Sequence, residues 1–129
     1  MCRTYTANGS RKTNLAEPRP LQEWLPTLTK ALVDVHAVNP PLHQVLFEEA
    51  PRPPELLARF REAEGEAVAA IEALLRGDPD LAVPEPARAA RFVVATIESL
   101  IHRFVGRVPE VGTEELIEEI DRIVTRYLC

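Results

Sequence analysis

Twelve prolines punctuate this chain of 129 residues, at positions 18, 20, 26, 40, 41, 51, 53, 54, 79, 84, 86 and 109, and all but Pro26 fall between segments of apolar period. Proline has no amide proton to give a helix and clashes with the preceding turn, so it marks where helices stop and start. Between these marks lie five segments whose apolar residues recur every three or four positions, and none with sustained strand alternation. The spacing predicts an all-α body of five helices.

The first segment, about Leu21 to Val38, carries Leu21, Trp24, Leu25, Leu28, Ala31, Leu32 and Val35 on one face. Pro26 removes the bond its amide would make to residue 22, so this helix either starts near Trp24 or bends there. Asn39-Pro40-Pro41 stops the chain and restarts it, giving a short second helix from Leu42 to about Glu49. The third, Pro54 to Arg76, has the stripe Leu56, Leu57, Phe60, Ala63, Ala67, Ile71, Leu74 and Leu75, with Gly77 as its stop. After a loop over 78–85, a fourth helix runs from Pro86 to about Val105 and closes at Gly106. The fifth opens at Thr113, expected as its cap, and repeats Leu116, Ile117, Ile120, Ile123, Val124, Tyr127 and Leu128 to the end.

Composition narrows the function. At 46% apolar and 27% charged residues the chain is of ordinary globular type and long enough for one complete core. Its two cysteines, Cys2 and Cys129, stand at the extreme ends and cannot bracket a loop-rich scaffold, which points to a reducing cytoplasm. No apolar run approaches the roughly 20 residues a bilayer requires, so a soluble protein with no membrane partner is expected. Residues 1–20 hold four cations and one acid, net +3, which leaves eleven cations and nineteen acids, net −8, for the remainder. An acidic body repels phosphate and is a poor DNA binder by itself. Residues 1–19 are expected to be a disordered basic leader, and 20–129 the folded domain.

On the fourth segment, apolar side chains from Ala87 to Val105 fill an arc of about 160°, wider than a one-sided stripe. Such a helix needs two partners. The economical arrangement pairs the last two helices with those of a second copy in a dimeric four-helix bundle; a self-contained five-helix monomer is the alternative.

Few polar residues stand out. Glu64 falls inside the apolar arc of the third segment, either where that helix projects beyond the core or lining a pocket. Arg91, Ala95, Glu98 and His102 descend one margin of the fourth, where Glu98 and His102 are i, i+4 neighbours. That ladder could line a pocket, cross a dimer seam or face solvent. His36, His43 and His102 have no HExxH spacing, so no metal site is expected. With no GxSxG elbow, no internal cysteine, serine only at Ser10 and Ser99, and no glycine-rich phosphate loop, neither an enzyme nor a cofactor is expected.

The order NPPLHQVLFEEAP (39–51), RPPELLARFREAEGEAVAAIEALLRG (52–77), ARFVVATIESLIHRFV (90–105) and EELIEEIDRIVTRYL (114–128) resembles the C-terminal regulatory domain of the tetracycline-repressor (TetR) family of bacterial transcription regulators. The resemblance covers about residues 20 to 128. It implies a homodimer built by the last two helices and a pocket for a small apolar effector enclosed by the earlier ones. With the helical faces, it implies a ligand site of Leu28, Leu32, His36, Phe47, Phe60, Glu64, Thr96 and Leu100. The implied dimer seam is Val94, Glu98, Ile101, Val105, Ile117, Ile120 and Val124. Family members begin with a helix-turn-helix unit, and residues 1–19 have neither the period nor the room for one. The expectation is therefore an effector-sensing and dimerisation domain whose DNA-binding head is missing, reaching DNA only through such a head. The alternatives are a headless interaction protein that heterodimerises with an intact regulator, or a truncated fragment without function of its own.

Overall fold

A computed structural model of the chain describes residues 19–37 and 53–129. The described residues form four helices and no strand: α1 Leu21–Ala37, α2 Pro54–Gly77, α3 Pro86–Phe104 and α4 Thr113–Leu128. The expected short helix at 42–49, with His43 and Phe47, lies outside them.

Helix starts follow proline chemistry. Pro54 and Pro86 occupy first turns, where a missing amide proton costs nothing. Pro26 departs from the rule: α1 begins five residues before it and runs through it. Both Pro26 and Gln22, whose carbonyl is left without the amide of residue 26, are exposed, so water can serve that carbonyl. What fixes the start of α1 comes from far along the chain. The buried Asp78 carboxylate accepts the Leu21 amide at 3.0 Å and the Asp80 amide at 2.9 Å, acting as an N-cap from 57 residues away. A cap of this kind contributes about 1 kcal/mol, and more where the amide would otherwise be buried unpaired.

Two helix ends differ from the sequence reading. Thr113 is the first helical residue rather than the cap; Gly112 holds the cap position in extended backbone, and its carbonyl accepts the Leu116 amide at 2.9 Å. Gly77 ends α2 without a left-handed turn, because the chain continues extended through Asp78. Only Gly106 among the described residues takes a positive φ, 72°, just past the end of α3. There the Arg107 amide reaches back to the Phe104 carbonyl, and a side chain would strain the reversal.

The core explains the wide apolar arc of α3. This helix packs most extensively against α2 and also touches α4 and α1, so its arc is occupied by three helices of its own chain. Ala89, Ala90, Val93, Val94, Ile97 and Ile101 are buried there. From α4 come Leu116, Ile120, Val124 and Leu128, and from α2 only Val68, Ile71 and Leu75, all in its C-terminal half. The N-terminal half of α2 therefore stands away from the core.

On α1 the buried row is Leu21, Leu25, Thr29 and Val33, with Trp24 beside it, whereas Ala31 and Val35 of the expected stripe are exposed. Thr29 is fully buried at the α1–α4 contact. Its hydroxyl lies 2.9 Å from the Leu25 carbonyl and 2.7 Å from Asp121 Oδ1. Both oxygens are acceptors of the one hydroxyl proton, which the Leu25 carbonyl and the Asp121 carboxylate share. Burial pushes the Asp121 carboxyl above its usual range, and the bond donated by Thr29 pulls it back down.

Candidate functional site

Where the N-terminal half of α2 leaves the core, a cleft of about 650 Å³ opens between α1, α2 and α3. Leu32 and His36 line it from α1, Phe60, Ala63, Glu64 and Ala67 from α2, and Glu98, Ser99, Ile101 and His102 from α3. Ala63, Glu64 and Ser99 are exposed, which makes it a groove with a mouth rather than a sealed chamber. Its size is that of a site for one small organic molecule.

The polar groups of the cleft are carboxylates and imidazoles. His36 Nδ1 lies 2.7 Å from the Leu32 carbonyl, an acceptor only, so the ring proton resides on Nδ1. The His36 and His102 rings meet edge to face, centroids 4.8 Å apart at 85°, joining the end of α1 to α3. Burial first, and the negative charge of Glu64 second, push the Glu98 carboxyl above its ordinary 4.5. Among the described lining residues there is no lysine or arginine to offset those two charges.

A carboxyl raised on folding binds its proton more tightly in the native state. The stability it supports is full below the ordinary value and is lost as pH rises through the raised one. Glu98→Gln should therefore raise the melting temperature at pH 7 to 8, with the advantage closing as pH falls below about 4.5. Thermal unfolding across that range checks it, and an equal gain in acid would mean that charge is not the cause.

The structure sorts the expected site residues differently from the sequence. Leu32, His36, Phe60 and Glu64 meet at the cleft. Glu64 satisfies both of its readings, since it is exposed on the projecting half of α2 and also lines the groove. Leu28, Thr96 and Leu100 are half-buried and are not among the described lining residues, and Phe47 lies outside the described residues. Glu98 and Ile101, expected at a dimer seam, line the cleft, with His102 one turn beyond Glu98. Sequence reasoning missed Ala63, Ala67 and Ser99 as lining residues; the only signal was the placement of the two alanines on the α2 stripe.

Val94, Ile101, Ile120 and Val124 of the expected seam are at most 4% exposed, which leaves them almost no area for a second copy, whereas Val105 and Ile117 pack half-buried against the same core and keep part of their surface exposed. Phe92, Ile123 and Tyr127 are 58%, 44% and 54% exposed instead, and the Phe92 and Tyr127 rings lie 6.3 Å apart on the outer side of α3 and α4.

Among the described residues no three His, Cys, Asp or Glu side chains are arranged to hold a metal ion, and no helix is long and apolar enough to cross a membrane. Comparison with known proteins gives one finding. A family model described as tetracyclin repressor-like, C-terminal domain, matches residues 20–128. No curated protein and no solved structure matches the chain. The matched range holds all four helices and the whole described lining of the cleft. The chain therefore belongs to the tetracyclin repressor-like C-terminal domain family.

Proposed function

We propose that the chain is an effector-sensing and dimerisation domain of a transcriptional regulator, with the cleft between α1, α2 and α3 as the effector site. The observation that carries this reading is the cleft itself: about 650 Å³, walled by Leu32, Phe60, Ala67 and Ile101, with a few polar groups converging on it. Apolar walls fit a small, largely apolar molecule. Three helices meet there, so an occupant that prefers one of their arrangements shifts the population toward it. The outward row of Phe92, Ile123 and Tyr127 supports pairing of two copies through α3 and α4. Because α3 carries both the cleft wall and part of that row, occupancy couples to the geometry of the pair. Two DNA-reading units borne by the pair would then change their spacing, and operator affinity with it.

A ligand that binds only the folded state raises its melting temperature by mass action. Screening small apolar and amphiphilic molecules by thermal shift should yield stabilising compounds. Ala63→Trp, at an exposed position on the cleft wall, should remove their effect while leaving the unliganded melting temperature within about 3 °C. Compounds that stabilise the variant as strongly as the parent bind elsewhere, and that result would overturn the assignment of the cleft.

A further inference from the structure

We propose that the ligand of the cleft is an organic cation, an apolar body with a positively charged nitrogen seated between Glu64 and Glu98. The proposal rests on the reading of the cleft as an effector site and adds the charge of what it takes. A purely apolar ligand needs only walls, and Leu32, Phe60 and Ile101 supply them. Two carboxylates on the same walls, brought from different helices, are unfavourable neighbours in an empty groove. Burial first, and the charge of Glu64 second, oppose the ionisation of Glu98. No lysine or arginine among the described lining residues answers them. An anion entering would meet two like charges and no partner, and a neutral molecule would leave the repulsion in place. A cation removes it, and in a partly desolvated groove that attraction exceeds its value in water.

A bare metal ion is a poorer fit. The described residues hold no cluster of three ligating side chains, and much of the groove surface is hydrocarbon. The cleft also fixes the sign of the pH dependence. His36 faces it from α1, Glu64 from α2, and Glu98 and His102 from α3. Protonating the carboxylates removes the attraction, and protonating either imidazole adds repulsion, so cation affinity falls throughout as pH falls.

Three probes with one 4-phenylbutyl body separate charge from shape: the trimethylammonium, the alcohol and the carboxylate. Calorimetric titration into the full chain at about pH 7.5 should find the ammonium bound at least about tenfold tighter than the alcohol, about 1.4 kcal/mol, and the carboxylate weakest. Glu64→Gln, at an exposed position, should cut the preference by about threefold or more. The Glu64→Gln, Glu98→Gln pair should abolish it; circular dichroism confirms that both variants fold. An alcohol that binds the parent as tightly as the ammonium, or a preference that survives in the double variant, overturns the cation assignment and leaves the cleft a ligand site. Failure of all three probes to bind the parent at millimolar concentration overturns the effector site and the cation together.

Discussion

Ile120→Asp is expected to leave the chain without a cooperative fold. Ile120 has no exposed surface and stands in the buried row of α4. Truncating such a side chain costs about 2–5 kcal/mol, and an unpaired carboxylate in the same place adds several more. That total is comparable with the whole stability of a domain, about 5–15 kcal/mol. Far-ultraviolet circular dichroism on heating is the measurement: the parent should melt in one sharp step and the variant should show none. Ile120→Val, which removes one methylene, should cost about 1 kcal/mol and keep the transition. A variant with aspartate at 120 that melted within a few degrees of the parent would place the residue outside the core.

The opposite pattern is expected on the outer side of α3 and α4. Phe92→Asp combined with Tyr127→Asp should preserve the helix content and split a dimer into monomers. Both rings are more than half exposed, so little of the core depends on them. Aromatic anchors at the centre of an interface are worth about 2 kcal/mol or more each, roughly thirtyfold in dissociation constant. In an isologous contact each substitution acts twice, once on either copy. Sedimentation equilibrium should give twice the chain mass for the parent at micromolar concentration and the single mass for the variant. An unmodified chain that is monomeric at high micromolar concentration, or a variant that keeps the doubled mass, would overturn this interface.

These substitutions also mark what could be read from the residues alone. Proline placement and apolar period located the starts of α2 and α3 and the end at Gly106, because each of those boundaries has a local cause. The faces were harder. Period assigns a side chain an angle around its own helix but not the neighbour found at that angle, so Glu98 and Ile101 line the cleft while Thr96 and Leu100, expected there, are not among its described lining residues. The α1 stripe was misplaced for another reason. Thr29 reads as polar and Val35 as apolar, yet Thr29 is buried because Asp121, 92 residues later, supplies a partner for its hydroxyl. Asp78 reads as a loop residue for the same cause. Its partner is the first amide of a helix 57 residues earlier, and no local pattern encodes that meeting.

Those two long-range bonds give α1 a mechanical character. The helix is 17 residues long, a rod of about 25 Å. Asp78 clamps it at Leu21 and Asp121 props it at Thr29, while Leu32 and His36 lie beyond that prop beside the cleft, with Val33 seated in the core between them. A rod held at one end and propped along its length cannot tilt freely, so a sideways load at its cleft end is carried as bending of the span between the supports. Pro26 lies in that span, where one rung of the hydrogen-bond ladder is missing. The softest point of the rod is thus set between its two supports, and a push at the cleft would emerge as flexure on the far side of the prop, toward the start of the helix.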